Sequence, residues 1–493
     1  MNQRITPIFE DMYLPQDPDM LFSMINMKLR DQYASLADLC DEEDVDCDAL
    51  TDRLDAAGYV YDEVHNCLKY AEVVKQPSVS ELLDESRKAS YALLDISEDK
   101  VNEVLKTLAD ALEQHAQQII EANARDLSRM DASDYRYDRL MLNADRIKGI
   151  ASDTRNVASL PSPLGRILGE STRPNGMTIR KVSVPFGVIG VIYEARPNVT
   201  IDVFSLCFKA GSAVVLKGGK EAADTNASEV SIIHQVLSDA GLPASLCTLL
   251  PNDHEATAEM LAAVGKVDLV IPRGSRRLID FVRDTARVPV IETGAGVCHT
   301  YVDAEADLDK AAKIVHNGKC RRISVCNALD CLVLHSRHLN DLAKICAPLA
   351  ANDPQVEILA DERAYKALDG NYPAHLLKHA LPEHFGMETL AYRLVIRTVD
   401  TADEAIEFIQ SHTSHHSESI VSENKAVCSR FALHIDAACV YQNLPTSWTD
   451  GAQFGFGAEI GISTQKLHAR GPMALPEITT YKYIVEGEGQ IRK

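Results

Sequence analysis

The sequence contains no long uninterrupted hydrophobic segment. Its densest apolar stretches, such as Val188–Tyr193, have the length of a β-strand, whereas a helix that crosses a membrane needs roughly 20 apolar residues. The N-terminal residues also lack the basic and then apolar pattern of a signal peptide. We therefore expect a cytoplasmic protein with no membrane partner.

Basic side chains and paired cysteine motifs are also scarce. Lys and Arg number 50 against 72 Asp and Glu, and the net charge of −22 argues against a nucleic-acid-binding surface. The 12 cysteines include no CxxC pair, so the sequence indicates neither a disulfide framework nor a zinc site, and we expect no bound metal. In a reducing compartment most of these cysteines should be buried thiols.

What remains is the composition of a globular protein, with 46% hydrophobic and 25% charged residues in a chain of 493, enough for two or three domains. Half of the net negative charge lies in residues 1–80, which contain 17 acidic and 6 basic side chains. Apolar residues recur at helical spacing in Asp19–Lys28 and Asp52–Tyr61. We predict a small acidic helical domain over residues 1–77, in which the run Asp41–Asp48 forms a solvated loop or a helix start.

Beyond this domain, amphipathic helix such as Lys100–Ala124 continues to about residue 153, and strand and helix patterns alternate from Met177 onward. Five strands are predicted: Val182–Tyr193, Ala213–Lys217, Cys247–Leu250, Val267–Ile271 and Val288–Ile291. Four helices are predicted between them: Ile201–Ala210, a helix that ends at Gly241, Ala256–Val264 and Ser275–Ala286. This alternation predicts a parallel, doubly wound sheet, which binds its ligands at the carboxyl ends of the strands.

Two loops at that predicted edge have the residues of an anion site. Pro272-Arg273-Gly274-Ser275 places a glycine at a helix N-terminus, where backbone N–H groups receive phosphates. Lys217-Gly218-Gly219-Lys220 adds cations at another strand end. Neither loop is a GxGxxG motif, and each alone is equally compatible with an ordinary turn; the two at one edge favour a ligand site.

Cys326 is the candidate nucleophile. It lies between a predicted helix, Leu308–Arg322, and a predicted strand, Cys331–Leu334. Nearby cations lower the pKa of a thiol and increase the thiolate fraction, and three precede this cysteine within two turns: Lys319, Arg321 and Arg322. The alternative, a buried and inert thiol, is the commoner role of a cytosolic cysteine.

A glycine-rich segment, Phe454–Gly461, precedes three side chains that could hold an anionic substrate: Lys466, His468 and Arg470. The alternative is a surface loop with solvated charges.

Four segments together resemble the γ-glutamyl phosphate reductases, or glutamate-5-semialdehyde dehydrogenases, of the aldehyde dehydrogenase superfamily: VPFGVIGVIYEARPNVT (184–200), VLKGGKEA (215–222), VCNALD (325–330) and FGFGAEIGISTQKLHARGP (454–472). The resemblance covers residues 80–493. It implies an aldehyde dehydrogenase-like α/β fold with a Rossmann-type NADP(H)-binding domain (80–297, with an arm at about 164–182), a second α/β catalytic domain (298–470) and a C-terminal oligomerisation strand (471–493). Residues 11–72 separately resemble a small bacterial domain of unknown function.

The resemblance also implies roles for individual residues. Cys326 matches the family's nucleophile, and Asn198 matches the asparagine that stabilises the oxyanion. Lys217 matches a lysine that contacts the adenosine ribose, and Lys220 stands where members that use NAD often carry a glutamate. A cation there favours a 2′-phosphate, hence NADPH. We expect the remaining cofactor contacts from Gly218, Arg273, Gly274 and Ser275, and substrate contacts from Lys466, His468 and Arg470.

The implied reaction is the reduction of L-glutamyl 5-phosphate by NADPH to L-glutamate 5-semialdehyde and phosphate, through a cysteine thioester, in the second step of proline biosynthesis. Either Glu292 or Thr293 occupies the superfamily's general-base position, and Ile323-Ser324 replaces a proline expected before the cysteine; neither change removes a group that this reaction requires. A hydrolytic aldehyde dehydrogenase and a non-catalytic nucleotide-binding scaffold are the alternatives. By analogy we expect a homo-oligomer and functional coupling to glutamate 5-kinase. The residues before Ser80 are too few to form a glutamate kinase domain, so we do not expect the bifunctional synthase.

Overall fold

The structure is a computed structural model, and it describes residues 14, 15, 17–70, 77–131, 134, 137–294 and 296–492. The chain divides into two compact units, Met1–Pro77 and Ser78–Lys493. Each unit has its own hydrophobic core.

The first unit contains three helices followed by an antiparallel hairpin: α1 (Pro18–Asp31), α2 (Leu36–Glu42), α3 (Cys47–Ala56), β1 (Tyr59–Asp62) and β2 (Cys67–Tyr70). The acidic run Asp41–Asp48 spans the end of α2, a short loop and the start of α3, where the Asp46 carboxylate accepts two backbone N–H groups. The hairpin was not predicted. Gly58, at φ +81°, ends the helical region, and the aromatic and β-branched residues that follow favour a strand.

The second unit begins with a layer of helices: α4 (Val79–Ser90), α5 (Glu98–Gln114), α6 (Ala116–Ser128), α7 (Tyr137–Leu140) and α8 (Ala144–Ser159). The predicted helix Lys100–Ala124 is therefore two helices that meet at His115. Their apolar faces pack on the first parallel sheet as part of one core.

A long strand was predicted over Val182–Tyr193, but this segment belongs to two sheets. β3 (Ile167–Thr172) and β4 (Thr178–Pro185) form an antiparallel pair, whereas β5 (Val188–Tyr193) starts the first parallel sheet. The chain turns between β4 and β5 at Gly187, whose φ of +117° is unfavourable for other residues.

The first parallel sheet continues with α9 (Asn198–Lys209), β6 (Ala213–Lys217), α10 (Ala223–Asp239), β7 (Cys247–Leu249), α11 (His254–Ala262), β8 (Leu269–Arg273) and α12 (Arg276–Thr285). Its strand order is β7-β6-β5-β8. Every residue of β5 and β6 is buried, as expected of central parallel strands covered on both faces.

The predicted fifth strand, Val288–Ile291, is reduced to a single bridge between Val290 and Val270. Pro289 has no N–H group to donate, so the ladder cannot extend there.

A second parallel sheet follows, with strand order β12-β11-β13-β10-β9-β14-β15. Its elements, in chain order, are β9 (Cys298–Val302), α13 (Leu308–Cys320), β10 (Leu329–His335), α14 (Leu342–Ala350), β11 (Glu357–Ala360), α15 (Glu362–Leu368), β12 (Leu377–His379), β13 (Arg393–Val399), α16 (Ala402–His412), β14 (Ser417–Val421), α17 (Lys425–His434) and β15 (Cys439–Gln442). Two apolar clusters pack against this sheet.

The chain ends with a short antiparallel pair, β16 (Gly461–Ser463) and β17 (Gly471–Met473), and with β18 (Thr479–Glu486). β18 pairs along its whole length with β4, which makes a three-stranded sheet of order β18-β4-β3. The fold class predicted from the sequence, a doubly wound parallel sheet with a second α/β domain, is confirmed. Among the described helices, none is long and apolar enough to cross a membrane.

We predict that residues 78–493 fold without residues 1–77, because the cores of the two units share no residue. The shortened chain keeps Ser78, which forms a capping box with Glu81 at the start of α4. Thermal unfolding followed by circular dichroism should show a main transition within about 4 °C of that of the full chain, a shift that corresponds to roughly 3–4 kcal/mol or less in a unit of this length. A chain that is insoluble, or that unfolds more than about 10 °C lower, would contradict this prediction.

Candidate active site

Cys326 lies in the loop between α13 and β10, three residues before the strand begins. This loop lies directly against the segment that leads into β9. A Cβ atom on Gly296 would be 1.6 Å from the carbonyl oxygen of Cys326, so only glycine allows the two backbones to approach this closely. The same carbonyl accepts a hydrogen bond from the Cys298 thiol at 3.3 Å.

Cys326 is paired with His416, for which the sequence analysis had no role. The His416 Nε2 atom is 3.2 Å from the Cys326 sulfur, and the imidazole is fully buried. The two residues meet because β10, β9 and β14 are neighbours in the second sheet. Cys326 precedes β10, Cys298 begins β9 and His416 immediately precedes β14, so all three lie at the amino ends of adjacent parallel strands.

The pKa of Cys326 departs from the sequence-based expectation. Burial raises the pKa of this thiol to about 11, although the positive charges of Arg273 and Arg196 act in the opposite direction. Two carboxylates, Glu459 and Glu388, contribute to the increase. The expectation that cations close in sequence would lower this pKa is therefore wrong, because desolvation of the sulfur is the largest effect.

Lys319, one of those expected cations, is directed elsewhere. Its ammonium group is buried and donates to the Leu329 carbonyl at 2.9 Å and to Thr389 Oγ1 at 2.8 Å. It stabilises the start of β10 rather than the sulfur.

Two cavities meet at the loop that contains Cys326. The larger has a volume of about 850 Å³, and α8, α9 and this loop contribute to its lining. The smaller, of about 420 Å³, contains Cys326 itself and extends to the N-terminus of α12. Both are lined by Arg139, Arg196, Arg273, Ser324, Val325, Leu390 and Glu459. The sulfur therefore lies between a chamber rich in arginine and the carboxyl edge of the first parallel sheet.

The residues predicted for the cofactor lie together at that edge. Lys217 ends β6, Arg273 ends β8, and β5 lies between these two strands. Lys217 is buried, with Nζ 3.1 Å from the Gly218 carbonyl oxygen, whereas Lys220 is exposed. Both glycine positions are closely approached: a Cβ on Gly218 would be 2.2 Å from Asn226 Nδ2, and a Cβ on Gly274 would be 2.6 Å from Glu194 Oε2.

A carboxylate of the chain itself is bound at the N-terminus of α12. The Ser275 backbone N–H donates to Glu194 Oε2 at 2.8 Å, and the Ser275 hydroxyl donates to Glu194 Oε1 at 3.1 Å. A helix N-terminus favours negative charge, so Glu194 occupies a position suited to any anion. Within the part of the chain that the structure describes, no group of three His, Cys, Asp or Glu side chains could hold a metal ion.

The oxyanion role expected for Asn198 stays a prediction. This residue begins α9, and its Nδ2 donates to Asp202 at 2.8 Å, one helical turn later. Both residues line the larger cavity, and neither lines the cavity that contains Cys326. Burial raises the pKa of Asp202 to about 6.

The three predicted substrate contacts, whose role stays a prediction, each have a partner within the chain. Lys466 Nζ and Arg470 Nη2 bind the two oxygens of the Asp436 carboxylate, at 2.8 and 2.7 Å. Asp436 in turn has its pKa lowered to about 2 by these two cations. His468 donates to the Glu477 carbonyl at 2.7 Å. None of the three predicted residues lines either cavity, because each is held by a partner outside them.

Of the two candidates for the general-base position, Thr293 lines the cavity of Cys326 and Glu292 does not. The Thr293 hydroxyl donates to the Pro272 carbonyl at 2.6 Å. The Glu292 carboxylate lies 3.8 Å from Arg283.

Among the described residues, four carboxylates line this cavity, Glu194, Glu388, Asp450 and Glu459, and the sequence analysis gave none of them a role. Glu388 accepts the Gly296 N–H at 3.3 Å, and Glu459 accepts the Gly451 N–H at 2.8 Å. Burial raises the pKa of both. Both lie far from Cys326 in the chain, so no local spacing predicts their approach to it.

Comparison with known proteins agrees with this architecture. Residues 64–355 match the model described as "Aldehyde dehydrogenase family", and residues 15–67 match "Domain of unknown function (DUF4250)". An acetylating aldehyde dehydrogenase from Geobacillus thermoglucosidasius has the same fold, with a TM-score of 0.61 at 15% identity over 84% of this chain and 97% of that one. The chain thus belongs to the aldehyde dehydrogenase family.

Nearer relatives define its branch of that family. Gamma-glutamyl phosphate reductase from Parabacteroides distasonis is 57% identical over 415 residues, which are 84% of this chain and 100% of the relative. The enzyme of that name from Azobacteroides pseudotrichonymphae is 58% identical over 414 residues, 84% of this chain and 98% of the relative. The crystal structure of the Thermotoga maritima gamma-glutamyl phosphate reductase has a TM-score of 0.81 at 38% identity, over 85% of this chain and 100% of that one. Within the aldehyde dehydrogenases, this chain is a member of the gamma-glutamyl phosphate reductases.

The raised pKa of Cys326 predicts how its alkylation depends on pH. Because the thiol stays protonated at neutral pH, the rate of alkylation by iodoacetamide should rise about tenfold per pH unit across the neutral and mildly alkaline range, without a plateau. Mass spectrometry of the peptide that contains Cys326 measures this rate, with glutathione as the reference thiol. A plateau near neutral pH would show that Arg273 and Arg196 stabilise the thiolate more than burial opposes it.

Proposed function

We propose that this protein catalyses the NADPH-dependent reduction of L-glutamyl 5-phosphate to L-glutamate 5-semialdehyde and phosphate, the second step of L-proline biosynthesis from glutamate. The observation that carries this proposal is the position of Cys326, at the junction of an arginine-lined chamber and a cleft that ends at the N-terminus of α12. The similarity to gamma-glutamyl phosphate reductases along the whole length of the Parabacteroides relative supports the same reaction.

The larger cavity has the size and charge for this substrate. Its volume of about 850 Å³ lies in the usual range for small-molecule sites. We assign the phosphate and the α-carboxylate to the guanidinium groups of Arg196, Arg273 and Arg322, since arginine binds such anions through paired N–H groups. The α-ammonium group is assigned to Asp153 of α8 and Asp202 of α9, which line the same cavity. Lys466, His468 and Arg470, predicted from the sequence as substrate contacts, line neither of the two cavities.

The edge of the first sheet has the features that a dinucleotide requires. The Glu194 carboxylate occupies the position that we assign to the pyrophosphate, at the N-terminus of α12. It accepts hydrogen bonds there from the Ser275 N–H and hydroxyl groups. Gly218 and Gly274 leave no space for side chains where the ligand would pass. Lys220 is exposed beside Lys217 and is assigned to the 2′-phosphate. When bound, NADPH supplies the hydride that reduces the thioester.

The reaction at Cys326 follows from its surroundings. The sulfur attacks the acyl carbon, phosphate leaves with the electrons of the carbon–oxygen bond, and the acyl group remains as a thioester. The charges of Arg196 and Arg273, which act on the sulfur, and the Cys326 backbone N–H are the groups that we assign to the developing oxyanion. After reduction, the carbon–sulfur bond breaks and the aldehyde is released.

The position of Thr293 favours phosphate over water as the acyl acceptor in the reverse direction. A threonine hydroxyl bound to a backbone carbonyl is a poor base for water. This residue distinguishes the proposed reductase from a hydrolytic aldehyde dehydrogenase.

The assembly and the location of the protein remain proposals. The sheet β18-β4-β3 exposes apolar side chains, among them Ile167, Leu168, Tyr483 and Val485, and we assign it to contact between copies of the chain. An acyl phosphate hydrolyses readily, so we propose functional coupling to the glutamate 5-kinase that would supply it. The cytoplasmic location expected from the sequence stays a prediction.

Replacing the nucleophile tests the reaction. Cys326→Ser should fold and bind NADPH normally but lose at least about 1,000-fold in kcat, because a serine hydroxyl does not replace the cysteine sulfur here. The assay follows NADP⁺ reduction with glutamate semialdehyde and phosphate, and Cys320→Ser serves as the control. Turnover by the unmodified enzyme without phosphate would identify a hydrolytic enzyme, and dinucleotide binding without any turnover would identify a scaffold.

Lys220→Glu tests the choice of cofactor. A carboxylate repels a 2′-phosphate and accepts hydrogen bonds from a ribose hydroxyl. The ratio of kcat/KM for NADPH to that for NADH should therefore fall by at least about tenfold, an effect of ~1.4 kcal/mol. Lys313→Glu makes the same charge change at an exposed position of α13 and should leave the ratio unchanged. An unchanged ratio in Lys220→Glu would show that Lys220 does not bind the 2′-phosphate.

A further inference from the structure

The imidazole of His416 is held by a chain of hydrogen bonds that ends away from the sulfur. Nδ1 is 2.8 Å from Ser417 Oγ, which is 2.6 Å from Thr449 Oγ1, and this hydroxyl is 2.7 Å from the Tyr441 phenol. Ser417 and Thr449 are fully buried, and Tyr441 is nearly so. The chain fixes the plane of the ring and its position relative to Cys326.

Of the two tautomers of His416, the one with its proton on Nδ1 directs a lone pair at the sulfur. With Nδ1–H donating to Ser417 Oγ, the Nε2 lone pair is directed at Cys326 and accepts its S–H at 3.2 Å. Burial lowers the pKa of His416 to about 4 and raises the pKa of Cys326 to about 11, so the resting pair is a neutral imidazole and a neutral thiol. Cys298, 3.9 Å from Nδ1, is a further buried thiol whose pKa is raised.

A neutral thiol is a weak nucleophile, so the proposed reaction requires a group that removes its proton. Among the described residues, Nε2 of His416 is the nitrogen base within hydrogen-bonding distance of the sulfur. Glu388 and Glu459 line the same cavity, but each accepts a backbone N–H group.

We propose that His416 is a catalytic residue, the general base that takes the Cys326 proton during attack and the general acid that returns it. The proposal rests on the reductase function above and adds to it the group that activates the nucleophile. The hydrogen-bonded series of Ser417, Thr449 and Tyr441 positions the imidazole and holds the proton on Nδ1.

The steps balance as follows in the direction of reduction. Nε2 takes the S–H proton as the sulfur–carbon bond forms, and phosphate departs with the electron pair of the carbon–oxygen bond and is protonated by solvent. After reduction, the oxyanion on the substrate carbon collapses, the carbon–sulfur bond breaks, and the imidazolium returns its proton to sulfur. The net uptake is one proton from solvent for each acyl phosphate reduced.

A burst experiment in the reverse direction tests this role. The full-length enzyme is mixed with glutamate semialdehyde and NADP⁺ without phosphate, and the first turnover is followed by NADPH absorbance. His416→Gln should slow the burst by about 100-fold or more, the usual contribution of a general base, with an unchanged dissociation constant for NADP⁺. His415→Asn is the matched control: this neighbour has φ +63°, which asparagine tolerates, and its ring bonds to the Asp436 carbonyl, so the burst should not change.

Chemical rescue separates catalysis from a purely structural role. In His416→Ala, added imidazole can enter the space left by the ring. It should raise the burst rate of this variant at least tenfold, and the rate should saturate as the imidazole concentration increases. A burst unaffected by His416→Gln, or a slow burst in His416→Ala that imidazole does not restore, would overturn the proposal. If these variants do not fold, Ser417→Ala is the test, because it keeps both the Cys326 thiol and the His416 imidazole. This variant should slow the burst several-fold. An unchanged burst would overturn the proposal.

The same measurements keep this proposal distinct from the proposed function. If the unmodified enzyme shows no burst and no phosphate-dependent turnover, the reductase function is wrong. If the unmodified enzyme is active and the His416 variants are equally active, only the role of His416 is wrong.

Discussion

The contact between the backbones at Gly296 and Cys326 is the constraint on which the rest of the site depends. No side chain fits between residue 296 and the Cys326 carbonyl. The loop before β10 is thereby pressed against the segment that enters β9, and the sulfur lies where the second sheet meets the carboxyl edge of the first. The strand order β10-β9-β14 then brings His416 to the other side of Cys298. The close backbone contact and this strand order together bring Cys326 and His416, which are 90 residues apart in the chain, within 3.2 Å of each other.

Burial determines the electrostatics of this site more than the number of nearby cations does. Arg273 and Arg196 favour the thiolate, yet the pKa of Cys326 rises, and the pKa values of both arginines are themselves lowered by burial. Burial therefore favours the neutral forms of both Cys326 and His416.

Much of the fold could be predicted from the sequence, because its signals are local. β6 has the predicted bounds, and β5 and β6 are recognisable because strands covered on both faces are continuously apolar. The prediction of a fifth strand was wrong because Pro289 interrupts the hydrogen-bonded ladder of that segment. This proline is a local signal that could have been used.

The site was less predictable, because its decisive contacts join distant segments. Lys466 and Arg470 pair with Asp436, which lies 30 and 34 residues upstream of them, so no local spacing indicates this contact. His416 has no local pattern that connects it to Cys326. The pairing of Asn198 with Asp202 is different, since a spacing of four residues on a helix could have indicated it.

The contact between Glu194 and Ser275 makes anion binding at α12 an exchange rather than an addition. An anionic ligand that takes the Ser275 N–H and hydroxyl groups displaces the Glu194 carboxylate, which then needs a new partner or water. The measured affinity of such a ligand is therefore the difference between two anions competing for the same N–H and hydroxyl groups. The returning carboxylate also competes with rebinding, since it fills the vacated position once the ligand has left. The affinity of this helix end for an anion is thereby lower than it would be without Glu194.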